Sequence, residues 1–234
     1  MISDKQKIVG VVGGMGPFAT VSFFQKLVDL TPAKKDWEHL RILIDCNVKI
    51  PSRTRSILYG EMSPAPRIIE SIKGLASIGA DFIAMPCNSA CYFLDDILPK
   101  IKIPLLNLVD ITSQEIKKLG LERPLILGGY ITTQKKLYSK YLPGAVYPQK
   151  KWAKNIFDVI EEIKLDPNDI GDGKYARVFD LISYYKNQID SIVLACTELS
   201  IVFHYSPVPG IPMIDSTYQY AKATVVYARG ENGN

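Results

Sequence analysis

The chain contains the same pattern twice. Residues 81–93, DFIAMPCNSACYF, and residues 190–202, DSIVLACTELSIV, each give an aspartate, five intervening residues, a cysteine and then a polar residue. Cys87 and Cys196 are therefore equivalent positions. Downstream, IPLLNLVDITSQEI (103–116) answers IPMIDSTYQYAKA (211–223), and upstream KIVGVVGG (7–14) answers RPLILGG (123–129). A chain that repeats itself in this way is expected to fold as two similar halves.

The halves are built from alternating strand and helix signals. Short apolar runs bounded by Gly, Pro or polar residues predict strands over 7–12, 40–45, 81–85, 104–109, 124–128, 191–195 and 212–214. Helical spacing predicts helices over 18–30, 65–78, 110–119, 134–141, 152–164, 174–188 and 216–228. This alternation implies the α/β class with mostly parallel sheets. The expected organisation is two pseudo-symmetric α/β domains, residues 1–106 with 214–234 and residues 107–213, the first closed by the C-terminal helix. Ligands of parallel sheets bind beyond the carboxyl ends of the strands, where each half carries its cysteine. Halves that face one another would set the two thiols across a cleft, the expected active site.

Composition narrows the function. With 234 residues, 47% of them hydrophobic, the chain can bury a sizeable core. The net charge of +4 is spread without basic blocks, which argues against nucleic-acid binding and mildly favours acidic small molecules. The segment IVGVVGGMGPFATVSFF is broken by glycines and a proline, and no signal-peptide cleavage pattern follows it, so no membrane association is expected. Cys46, Cys87, Cys91 and Cys196 lack zinc-ribbon or thioredoxin spacing, and the chain has two histidines, His39 and His204. A reducing cytoplasm and no metal site are the expectation.

Cys87 falls where a strand ends and a helix begins, a place where free N–H groups and the helix dipole favour a thiolate. A buried cysteine that merely fills core is the competing reading. Two thiols on opposite sides of one molecule, one thiolate and one thiol, form the pair needed to take a proton from one face of a carbon and return one to the other. Asn88, Ser89 and Thr197, beside the two cysteines, offer donors to a carboxylate whose α-carbon gains carbanion character. They also suit ordinary helix caps.

Other motifs lead elsewhere. GGMGPFAT has neither the G-x-G-x-x-G fingerprint nor a Walker lysine, so Gly13, Gly14 and Gly16 are read as allowing close backbone approach to substrate, with Pro17 in the first helical turn. Asp36 and His39 are expected to pair and order a loop. Cys46 is assigned to core or cleft edge, and Cys91, four residues past Cys87, to the neighbourhood of the first thiol. KLDPNDIGDGKYA (164–176) lacks EF-hand spacing and is read as a mobile loop that would close over substrate from Lys164.

Taken together, VVGGMGPFAT, KKDWEHLRI, IPSRTRSILYG, MPCNSACYF, EEIK and LACTELS resemble the cofactor-independent aspartate/glutamate racemase family, nearest its aspartate-racemase members, from Gly10 to about Ala223. The resemblance implies two α/β domains, no pyridoxal phosphate or other cofactor, commonly a homodimer, and Cys87 and Cys196 as the acid/base thiols. It assigns Asn88, Ser89, Thr132 and Thr197 to the α-carboxylate and amino group. Arg53 and Lys164 are assigned to the side-chain carboxylate, and Met15 and Gly16 to the substrate loop. Arg suits its role because its planar fork binds a carboxylate bidentately. The chain departs from the family pattern at Ser52, where Asp is usual, at Ser89, where Thr is usual, at Cys91, where His is usual, and at Gly129, where Thr is common. These changes bear on specificity and rate more than on reaction type. The alternatives are an amino-acid-binding sensor without turnover and a related isomerase with another carboxylate substrate, although one-cysteine relatives would keep only one of the two thiols.

Overall fold

The computed structural model describes residues 6–166, 172–204 and 208–230. They form an α/β protein that divides into two compact units, Met1–Leu108 with Tyr218–Asn234, and Val109–Thr217.

In the first unit β1 (Val9–Val12) is the central strand, parallel to β2 (Ile42–Asp45) on one side and β3 (Phe82–Ala84) on the other, with Val9 opposite Ile42 and Phe82. Leu105 bridges to Ile83 beyond β3, held by Ile83 N–H to Pro104 O at 2.8 Å and Leu106 N–H to Ile83 O at 3.0 Å. The second unit repeats the plan: β4 (Pro124–Gly128), β5 (Ser191–Ala195) and β6 (Met213–Asp215) are parallel in that order, and Val146 bridges to Leu125 on the free side of β4. Numbered along the chain, the strand positions of each unit lie in space as second, first, third, fourth.

The repeated aspartate has a structural reason. Asp81 accepts a hydrogen bond from Ile8 N–H at 2.6 Å, and Asp190 accepts from Glu122 N–H at 2.7 Å and Arg123 N–H at 2.8 Å. Each carboxylate ties the start of the cysteine-bearing strand to the start of the first strand of its own unit, where edge N–H groups would otherwise lack a partner.

The first unit carries α1 (Pro17–Leu30), α2 (Arg53–Tyr59), α3 (Ala65–Ser77) and the short α4 (Leu94–Ile97). Ile68, Ile69, Ile72 and Leu75 recur at three- and four-residue spacing, so α3 presents one apolar face, buried with Ile83, Phe93 and Ile97. After α5 (Leu108–Lys118), the second unit carries α6 (Tyr130–Gln134), α7 (Lys150–Leu165), α8 (Asp172–Tyr185) and α9 (Thr197–His204). Its core is formed by Ile156, Val159, Ile160 and Ile163 of α7 with Leu125, Leu127, Ile192 and Leu194 of the sheet.

The last helix, α10 (Ser216–Arg229), starts at the end of the second unit and completes the first. Tyr220 stacks on Phe23 with ring centroids 5.5 Å apart, Tyr227 meets Phe82 edge-on at 4.7 Å, and Lys7 N–H donates to Ala228 O at 2.8 Å.

Three local expectations are corrected. The strand expected over 104–109 is a single bridge, because α5 begins at Leu108 and takes its last residues. The helix expected over 134–141 lies earlier, at Tyr130–Gln134. Thr133 Oγ1 bonds back to Gly129 O and Tyr130 O, and Lys136 adopts φ 49°, which ends the helix in turns. Asp36 and His39 pair through the backbone, His39 N–H donating to Asp36 O at 3.2 Å, and not through Nδ1 of the ring, which is buried without a hydrogen-bond partner.

Candidate active site

Cys87 ends the segment after β3 in an extended conformation (φ −145°, ψ 106°) and caps a 3₁₀ helix, Asn88–Phe93, where the sequence suggested an α-helix. Its N–H donates to Met85 O at 2.8 Å and its carbonyl accepts from Ala90 N–H at 3.1 Å. These bonds fix the turn. The thiol donates to Met15 O at 3.7 Å, and the Cys91 thiol donates to the Cys87 carbonyl at 3.7 Å.

Met15 O is also the acceptor for Arg53 Nη2 at 3.0 Å, and Arg53 Nη1 donates to Pro51 O at 3.1 Å. Arg53 opens α2 behind the Ser52 cap, whose hydroxyl accepts from Arg55 N–H at 3.3 Å. One backbone carbonyl therefore joins the guanidinium to the first thiol. Nε of Arg53 is buried and has no hydrogen-bond partner.

The loop carrying Met15 is set by glycine and by Thr20. Gly14 adopts φ +81°, and a Cβ there would lie 2.4 Å from the backbone carbon of Asn47. Gly14 N–H donates to Thr20 Oγ1 at 2.9 Å, and that hydroxyl donates on to Gly16 O at 3.0 Å. A Cβ on Gly16 would meet nothing within 4 Å. Asn88 is buried and Ser89 half-buried. Behind this turn the Tyr220 hydroxyl accepts from Met85 N–H at 2.9 Å and donates to Leu106 O at 2.8 Å.

In the second unit Cys196 occupies the matching turn between β5 and α9, its carbonyl accepting from Leu199 N–H at 3.1 Å. Its thiol meets a different partner, Oε2 of Glu198, at 2.9 Å. Glu198 is 8% exposed and Thr197 7%. Thr132, on α6, is wholly buried near the end of β4; a Cβ on Gly128 there would lie 2.8 Å from the Ala195 backbone oxygen and 3.2 Å from Thr132 Cγ2, which explains the glycine.

Lys164 lies in the last turn of α7 and donates to Glu161 at 2.6 Å. Burial of the ammonium opposes its charge, but Cys196, Glu161 and Glu198 outweigh that and hold its pKa above the usual lysine value. Of the expected mobile loop 164–176, residues 164–165 are helical in α7 and 172–176 in α8, and 167–171 lie outside the described residues.

The first unit thus gathers Met15, Gly16, Arg53, Asn88 and Ser89 around Cys87, and the second gathers Lys164 and Thr197 near Cys196, with Thr132 at the end of β4. Sequence reasoning missed Glu198, although CTE places a carboxylate two residues past the thiol in a helical first turn. It also missed Tyr220 and Thr20, whose roles depend on contacts no local pattern encodes. No group of three or more metal-ligating side chains occurs among the described residues, and no helix among them is long and apolar enough to cross a membrane.

Two parallel α/β units, each with a cysteine at the end of a strand, define the α/β class of the chain, and its similarity to known proteins identifies the family. Residues 12–224 match the Asp/Glu/hydantoin racemase family model. The chain is 31% identical over 228 residues to the broad specificity amino-acid racemase RacX of Bacillus subtilis (strain 168), covering 93% of this chain and 96% of that one. Among solved structures, Picrophilus torridus aspartate racemase superposes with a TM-score of 0.85 at 31% identity, covering 97% of this chain and 96% of that one. An aspartate racemase homologue from Pyrococcus horikoshii OT3 shares the fold, with a TM-score of 0.78 at 23% identity over 96% of this chain and 100% of that one. The chain belongs to the Asp/Glu/hydantoin racemase family and is an amino-acid racemase.

Proposed function

We propose that the protein racemises aspartate without a cofactor, by two-base proton transfer at the α-carbon, with Cys87 and Cys196 as the two bases. The observation that carries this reading is the equivalent placement of the two thiols, each just past the strand that follows the repeated aspartate of its unit. One thiolate removes the α-proton while the other thiol delivers a proton to the opposite face, and the roles exchange in the reverse direction. Asn88, Ser89, Thr132 and Thr197 are the donors that stabilise the α-carboxylate as negative charge develops. Arg53 and Lys164 supply the cations for the second carboxylate, with Met15 and Gly16 forming the loop beside it. The likeness to an aspartate racemase at 31% identity supports aspartate as substrate. The equally similar broad-specificity relative supports a second reading, a wider range of amino acids at the same two thiols. On the wider family pattern the enzyme works as a homodimer in the cytoplasm.

The test is to incubate the protein with L-aspartate in D2O without cofactor, following the α-proton by NMR together with optical rotation. Cys87→Ala and Cys196→Ala run alongside, and glutamate and alanine are parallel substrates. The proposal expects deuterium to appear in the product enantiomer with loss of rotation, and both to vanish in each variant. Binding of aspartate with neither exchange nor loss of rotation would sink it and leave a sensor. Comparable turnover of alanine would favour the broad-specificity reading.

A further inference from the structure

The two thiols occupy matching turns but unlike surroundings. Two residues past Cys87 stands Ser89, and two residues past Cys196 stands Glu198. The Cys87 thiol donates to the neutral Met15 carbonyl, whereas the Cys196 sulfur lies 2.9 Å from a carboxylate oxygen that is itself buried. With Glu198 ionised its oxygens accept hydrogen bonds and donate none, so the contact then keeps the proton on sulfur. Ionising that sulfur would place two negative charges in contact away from water.

We propose that Glu198 is a positioning residue that keeps the proton on Cys196, so that Cys196 begins the reaction as the acid. This rests on the reading that Cys196 is one of the two working thiols. Lys164, on α7, opposes Glu198: its ammonium is close enough to Cys196 and Glu198 to feel both, while also paired with Glu161. Other titratable groups on the elements packed around this turn include Asp215 of β6, whose Oδ1 accepts from Thr217 N–H at 2.8 Å, Tyr175 of α8, whose ring meets Phe203 of α9, Glu162 of α7, paired with Arg177 of α8, and the buried Lys174 of α8. Proton transfer to substrate leaves a Cys196 thiolate beside Glu198. Lys164 is a cation that interacts with Cys196, and its charge favours that state.

The experiment measures iodoacetamide alkylation of the folded full-length protein across pH, resolved by peptide mass spectrometry so that Cys87 is an internal standard. In Glu198→Gln the midpoint for Cys196 alkylation is expected to fall by about one pH unit or more, equivalent to about tenfold faster alkylation below both midpoints, with Cys87 unchanged. Glu198→Asp, which keeps the charge, should stay near wild type, and Lys164→Met should move the Cys196 midpoint upward. In turnover, Glu198→Gln should lower kcat with little change in KM and move the alkaline limb of the pH profile to lower pH. An unmoved Cys196 midpoint, or an equal shift at Cys87, overturns the proposal. If Glu198→Gln does not fold, the opposite behaviours expected of Glu198→Asp and Lys164→Met decide it. Alkylation needs no turnover. A shifted midpoint in a protein that racemises nothing would uphold the positioning role and refute the assigned reaction.

Discussion

Replacing Tyr220 by Phe removes one oxygen and should cost more than its size suggests. The ring stays, and with it the stacking on Phe23. Lost are the hydroxyl that accepts from Met85 N–H at 2.9 Å and its bond to Leu106 O at 2.8 Å. Met85 is 1% exposed, so its N–H has no water to turn to. Stranding that donor costs about 1–3 kcal/mol and losing the second bond about 0.5–1.5 kcal/mol, together about 1.5–4.5 kcal/mol. In a chain of this size that corresponds to roughly 3–18 °C in Tm. Urea titration followed by circular dichroism and tryptophan fluorescence would measure the loss, with an unchanged slope showing that the denatured state is the same. The variant should also racemise more slowly, because Met85 O receives the N–H of Cys87. A stability within about 0.5 kcal/mol of wild type would refute the reasoning, since it would mean that Met85 N–H finds another partner.

Asp190 should contribute to acid sensitivity. Partial burial disfavours its charge, but the N–H groups of Glu122 and Arg123 and the Ser191 hydroxyl prevail and hold its pKa below the usual value. A depressed carboxyl stabilises the fold above its unfolded pKa, near 3.9, and loses that contribution as pH falls through the lower folded value. Asp190→Asn should therefore lower stability at neutral pH and flatten its fall under acid, as read by thermal melts from pH 7 to about pH 3; parallel curves for variant and wild type would contradict this. Gly14→Ala combines a left-handed φ of +81° with a Cβ 2.4 Å from backbone, so it should lose at least about 1–2 kcal/mol and most activity; a stable, active variant would show that the Met15 loop is not held as described.

The repeat in the sequence predicted the repeat in the fold because both obey one local rule: an aspartate, five residues that contain an apolar strand, and a turn bearing the thiol. The strand at 104–109 was misjudged because periodicity alone does not distinguish a buried strand from the first turn of a buried helix, and α5 takes Leu108 and Val109. The candidate residues Asn88, Ser89 and Thr197 could be named from the sequence because they lie next to the cysteines in the chain. Tyr220 was not, because its partners lie 135 and 114 residues away. Arg53 was legible as a cation, but its bond to Met15 O follows from the course of a loop fixed by Gly14 and Thr20.

The unlike surroundings of the two thiols meet a thermodynamic limit. Enantiomers have equal free energies in water, so a racemase must have the same kcat/KM in both directions whatever the protein does to either thiol. An enzyme whose Cys196 rests protonated beside Glu198 and whose Cys87 faces a neutral carbonyl therefore expresses the difference only within that ratio. Under the proposed two-thiol reaction, the enantiomer that meets Cys196 as the acid would bind and react directly. The other would need the protons of the two thiols exchanged, which would raise KM and kcat together in that direction. Cys196 would be reprotonated from its thiolate, whose lifetime would follow the balance between Glu198 and Lys164. Ser89 and Glu198, at matching positions in the two halves, are thus where the repeat departs from symmetry in a way that the kinetics can register without violating the equilibrium.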